Sequence, residues 1–153
     1  MLKNFTFLMI LFTFCSVQLV AAKTASDVLG IRVGMSQKDA DARLQKMGKL
    51  EKEEKKQQQV WALASDPHYS YLIVAYNKEF TEVRFITAKA KENGRKVRYS
   101  DVIDLKKAKQ VGAVNNYKYV QEVPARGKNP GYVITARGQD SNYLTYFSIE
   151  KID

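Results

Sequence analysis

Between Gly34 and Gly48 the apolar positions fall four and then three apart. Ala40, Leu44 and Met47 line one stripe, while Lys38, Asp41, Arg43, Gln45 and Lys46 take the other sides. That spacing predicts a helix packed on one face. Ser36, with Asp39 three residues later, supplies its capped start, and Gly48 its stop. From Val60 the period shortens. VWALA (60–64), YLIVAY (71–76) and TEVRFITA (81–88) read as strands, separated by Asp66-Pro67 and by Asn77-Lys78-Glu79. Residues 51–59, EKEEKKQQQ, contain no apolar side chain and are expected as solvated helix or loop.

Asn93-Gly94 marks a turn, and beyond it the same order returns. A capped apolar stripe in SDVIDLKKAKQVG (100–112) predicts a second helix. YKYVQEV (117–123), GYVITAR (131–137) and YLTYFSI (143–149) predict three more strands. Tyr71 and Tyr132, Val83 and Leu144, and Phe85 and Tyr146 all stand 61 residues apart, whereas Gly48 and Gly112 stand 64 apart. The expected fold class is α+β, with two tandem halves. Each half is a helix plus a three-stranded antiparallel meander, and the helices lie on one face of the sheet. If the repeat is a duplication, the halves are 28–92 and 95–153; the alternative is a single α+β domain with two unrelated helices.

Composition places this pattern in a compartment. Lys3, the apolar run Phe5 to Phe14 and the small residues Val20-Ala21-Ala22 predict a secretory signal peptide over 1–22. That leaves 23–153 as a single compact domain, periplasmic or secreted, with no transmembrane span once the leader is removed. Cys15 has Phe14 where lipoprotein processing needs a small residue, so no lipid anchor is expected. The mature chain would hold no cysteine, which excludes disulfides and thiolate chemistry. Losing Lys3 lowers the formal charge from +9 to +8, a balance that attracts anionic surfaces.

Gly30-Ile-Arg-Val-Gly-Met-Ser36, followed by a short helix to Gly48 and a strand carrying Trp61, resembles a module shared by two families. One is the β-lactamase inhibitory protein, which carries such modules in tandem. The other is the small lipoprotein of the outer-membrane β-barrel assembly machine. The chain also looks like uncharacterised secreted bacterial proteins with the same opening. The resemblance implies helices on one side of an antiparallel sheet whose other side is free to bind protein. The chain departs from both families, since it lacks the disulfides of the inhibitor and the lipidated cysteine of the assembly lipoprotein.

Strands of a half-covered sheet expose every second residue. Here the candidates for that exposed set are Trp61, Tyr71, Arg84, Tyr119, Tyr132, Arg137 and Tyr146. Tyr, Trp and Arg dominate binding hot spots because they bury large areas and keep a polar handle. Each also fits an ordinary half-buried strand position, and Trp61 fits a core.

Candidate chemistry is sparse. His68, the sole histidine, follows Asp66-Pro67 without a nucleophile motif or metal-ligand spacing. Asp39, Asp41, Asp101 and Asp104 fall at helix starts, where capping accounts for them. No enzyme activity, cofactor or metal is expected. The leading reading is a non-enzymatic exported protein-binding module using an aromatic and Arg-bearing sheet face, with an envelope or secreted protein as partner. A second reading is a cationic envelope-associated structural protein that holds an anionic cell-envelope polymer or lipid through lysines such as Lys52, Lys55 and Lys56. A weak cell-wall hydrolase is the third and least supported. An exported chain meets little nucleic acid, so none is expected as partner.

Overall fold

The computed structural model describes residues 24–54 and 57–152; the expected leader, Cys15, Lys55 and Lys56 lie outside them. One helix, α1 (Gln37–Met47), precedes strands β1 (Lys49–Glu54), β2 (Gln58–Ala62), β3 (Tyr69–Tyr76) and β4 (Val83–Ala90). A single 3₁₀ turn at Tyr99–Asp101 leads to β5 (Lys109–Gln110), β6 (Tyr117–Val123), β7 (Tyr132–Gly138) and β8 (Tyr146–Lys151). All eight strands form one sheet in the order β1-β2-β3-β4-β8-β7-β6-β5. Every neighbouring pair is antiparallel. Two four-stranded meanders thus meet at the β4–β8 seam, where Ile86 lies opposite Ile149.

This overturns the expected pair of helix-plus-three-strand halves: there is one helix among the described residues, and each meander has four strands. The second helix is missing for local reasons. Val102 and Ile103 are consecutive and both buried, so this segment is anchored by neighbouring residues rather than by a stripe of helical period. Both are β-branched, which disfavours helix further. The acids cap turns instead. Asp101 Oδ2 accepts the Arg98 amide at 2.8 Å, and Asp104 Oδ1 accepts the Lys106 amide at 3.1 Å. The fourth strand of the first meander is the charged KLEKEE, which has no apolar alternation. As an outer strand it pairs only with β2 and carries a register shift between Leu50 and Lys52. Charge and a bulge are devices that keep an edge strand from pairing further.

α1 forms as its caps predict. Ser36 accepts the Asp39 amide at 3.1 Å, and Ala40 and Leu44 are fully buried. Gly48 follows in extended backbone (φ −157°), so its need for glycine is spatial: a Cβ there would lie 2.4 Å from the Ala62 carbonyl oxygen. Gly48→Ala is expected to lower stability by about 1–3 kcal/mol as β1 and β2 are pushed apart, read from the urea midpoint.

The inner face of the sheet carries two unbroken rows. Trp61, Leu72, Ala88, Phe147, Ala136 and Tyr119 form one; Gln59, Val74, Ile86, Ile149, Ile134 and Gln121 form the other. Three segments cover them. α1 supplies Ala40 and Leu44; the lead-in supplies Ile31, Val33 and Met35; the stretch after β4 supplies Val97, Tyr99, Val102 and Ile103. The lead-in is tied down by Gly34 N–H to Val83 O (2.8 Å) and Val83 N–H to Met35 O (2.9 Å).

Candidate functional site

Because side chains alternate along a strand, fixing the buried rows fixes the opposite face. There the register aligns three further rows. The first reads Lys49, Ala62, Tyr71, Lys89, Tyr146, Arg137, Lys118 across β1, β2, β3, β4, β8, β7 and β6. Next to it lie Val60, Ile73, Thr87, Ser148, Thr135 and Val120. The third holds Gln58, Ala75, Phe85, Glu150, Val133 and Glu122. Val60, Tyr71, Ile73, Phe85, Val120, Val133 and Tyr146 are all half-buried. None of them belongs to the core cluster or to the partly buried residues packed on it. This face is the open one.

Its electrostatics are divided by row. The first row holds four cations and two tyrosines and no acid, while Glu150 and Glu122 sit two rows away. Adjacent strands are about 4.8 Å apart, so the basic row runs roughly 29 Å across the sheet. Within it the Arg137 guanidinium carbon lies 5.9 Å from the centre of the Tyr146 ring, within cation–π range. Arg137 Nε is buried and has no hydrogen-bond partner. The stacked ring thus holds a guanidinium on the open face at the cost of one unmade hydrogen bond.

Of the residues expected on the binding face, Tyr71, Arg137 and Tyr146 share this row. Arg84 is the extra residue of a bulge, between Val83, opposite Tyr76, and Phe85, opposite Ala75. The other three lie on the covered side. Trp61 is 4 % exposed and donates Nε1–H to Gln59 Oε1 at 3.0 Å. The Tyr119 ring packs at a tilt on that of Tyr99, with 4.8 Å between centroids, and Tyr132 packs against the core. Lys89, Lys49 and Lys118 were not singled out from sequence. The signal for Lys89 is the alternation in TAKA, where a small inward alanine alternates with an outward lysine.

Several polar groups of the covered side are engaged in structure. Tyr76 donates its hydroxyl proton to Asp41 Oδ1 at 2.8 Å, with Gln59 Oε1 3.2 Å from the same hydroxyl, tying α1 to the sheet. Burial, with the Asp41 hydrogen bond second, raises the Tyr76 hydroxyl well above its ordinary pKa. Asp66 Oδ1 accepts the backbone amides of His68 and Tyr69 at 2.8 and 2.7 Å, so it caps a turn rather than orienting the imidazole. His68 Nδ1 lies 3.3 Å from the Arg95 carbonyl oxygen. Among the described residues no group of three His, Cys, Asp or Glu is arranged to hold a metal. No described helix is long and apolar enough to cross a membrane. No family model, no curated protein and no solved structure matches this chain.

Proposed function

We propose that the protein is a non-enzymatic, exported binding module that seats an acidic protein surface on the open face of its sheet. The observation that carries this reading is the row Lys49, Tyr71, Lys89, Tyr146, Arg137 and Lys118, which holds no acid, while Glu150 and Glu122 of the same face lie two rows away. Cations steer an acidic partner and fix its orientation, and the interleaved tyrosines supply area that survives salt. The middle of the row is rigid because Tyr71, Lys89, Tyr146 and Arg137 each adjoin a side chain locked in the core, Leu72, Ala88, Phe147 and Ala136. The likeness of residues 30–48 to modules with a sheet free to bind protein points the same way.

The test is capture from the cell-envelope fraction at low and high salt, with two variants compared. Lys89→Glu with Arg137→Glu reverses the row; Lys38→Glu with Lys46→Glu makes the same charge change on α1, on the other side of the molecule. Row reversal is expected to weaken the captured protein by about a hundredfold or more, and the α1 variant by less than about threefold. Equal losses in both would overturn the reading. Capture that vanishes entirely at high salt and yields polymer rather than protein would favour the cationic-envelope alternative, to which Lys52 and Lys49 at the β1 edge would contribute.

A further inference from the structure

At the far end of β6 from Lys118, the lead-in crosses the end of that strand and the loop between β6 and β7. Together they enclose a groove of about 440 Å³. Its apolar wall is Val33, Val123, Tyr132, Pro124 and Pro130. Its charged rim is Arg32, Lys107 and Arg126, against the single carboxylate of Glu122. That volume and this mixture of an apolar wall with a few polar and charged groups are those of small-molecule sites.

The groove is built rather than incidental. Gly34 has φ +80°, and a Cβ there would come 3.0 Å from Pro130 Cγ, so the lead-in and the loop are packed against each other at its edge. The loop tip is closed by two hydrogen bonds between the backbones of Arg126 and Asn129, at 3.1 and 3.0 Å, which fixes where Arg126 leaves the chain. Gln121, only 5 % exposed, lines the floor. Its carbonyl oxygen accepts the Asp104 amide at 2.9 Å and its nitrogen donates to Thr24 Oγ1 at 3.4 Å. An amide nitrogen carries two protons, so a second donor remains for a ligand. The Asp27 carboxylate is near, but Oδ1 already accepts the Gly30 amide at 2.9 Å. Burial and then Asp27 raise the Tyr132 hydroxyl above its ordinary pKa, while Arg126 acts in the other direction.

We infer that this groove binds a small organic anion, with its carboxylate or phosphate head between Arg32, Arg126 and Lys107 and its apolar body against Tyr132 and Val33. Lys107 is held 3.5 Å from Asp104 Oδ2 and remains 73 % exposed, so it contributes long-range charge, and the two arginines contribute directed hydrogen bonds.

Calorimetric titration of the protein tests this with four probes: phenyl phosphate, benzoate, inorganic phosphate and phenol. At least one aromatic anion is expected to bind about tenfold or more tightly than both inorganic phosphate and phenol, because each of those keeps only half of the contacts. The better of the two aromatic anions identifies the head group. Arg32→Gln with Arg126→Gln, both exposed positions that leave the core intact, is expected to weaken it by about tenfold or more. The Lys89→Glu, Arg137→Glu variant should bind the probe unchanged, which keeps this site separate from the sheet-face reading. No binding of either aromatic anion, wild-type affinity in the double arginine variant, or loss of affinity in the open-face variant would each overturn the inference.

Discussion

Phe147→Ala is expected to destabilise the protein by about 3–5 kcal/mol, whereas Tyr146→Ala, one residue earlier on the same strand, should cost less than about 1 kcal/mol. Phe147 is 1 % exposed and stands between Ala88 on β4 and Ala136 on β7, both fully buried. One large ring fills the space that two alanines leave, and the Tyr69 ring meets it at 6.0 Å between centroids. Truncation would leave a void lined by short side chains that cannot close it. Tyr146 faces the open side between Lys89 and Arg137, so its loss removes contact area from the face and little from the core. Urea denaturation of the two variants, with unchanged m-values, reads the contrast directly. A domain of this size has about 5–15 kcal/mol to lose. Similar costs at both positions would mean that the face carrying the basic row is covered, and the proposed function would fall with it.

How far the fold can be read from the sequence depends on whether local pattern or partner strands decide each element. α1 was legible because Ser36, Ala40 and Leu44 encode cap and stripe within one segment, and β6 was legible as YKYVQEV with the bounds it has in the structure. β1 was not, because KLEKEE is held by its pairing with β2 and carries no alternation of its own. The second helix was misread because Asp101 and Asp104 look like helix caps in sequence, while the burial of the adjacent Val102 and Ile103 appears only once the sheet beneath them is known. The open face met the same limit. YLIVAY is apolar on both sides, and only the pairing of Leu72 with Ala88 and Val74 with Ile86 turns Tyr71 and Ile73 outward. Trp61, Tyr119 and Tyr132 have the composition of a contact surface. Their register puts them on the covered side, where size and a polar handle serve the core and its rim.

Raising the pH from 9 to 12 is expected to destabilise the protein through tyrosines on that covered side. Burial, followed by the carboxylates of Asp66 and Asp101, pushes the Tyr69 hydroxyl up to about 12. Burial, followed by Tyr119 and Asp140, pushes Tyr99 up to about 12 as well. Tyr76 is raised too, by burial and its bond to Asp41. An unfolded tyrosine loses its proton near pH 10, so between about 10 and 12 the unfolded chain is ionised while the folded one still holds these protons. The fold therefore binds more protons than the unfolded chain in that window. Stability contributed by the neutral hydroxyls is fully present below pH 10 and falls as pH climbs toward 12. The slope is at most about 1.4 kcal/mol per pH unit for each such tyrosine. It is less for Tyr69, which is only half-buried and partly screened by solvent. The thermal midpoint should drop by more than about 5 °C across the window, in step with the ultraviolet absorbance of tyrosinate. Tyr99→Phe gives up the hydroxyl's bond to the Asp140 carbonyl oxygen at 3.1 Å, which lowers the neutral-pH midpoint. The same variant removes one titrating group, so its alkaline slope should be shallower than that of the parent. A midpoint that stays level to pH 12, or a variant slope as steep as the parent's, would mean that these rings are ionised in place. The covered side would then be open to water, and the two faces of the sheet would no longer divide into a core and a binding surface.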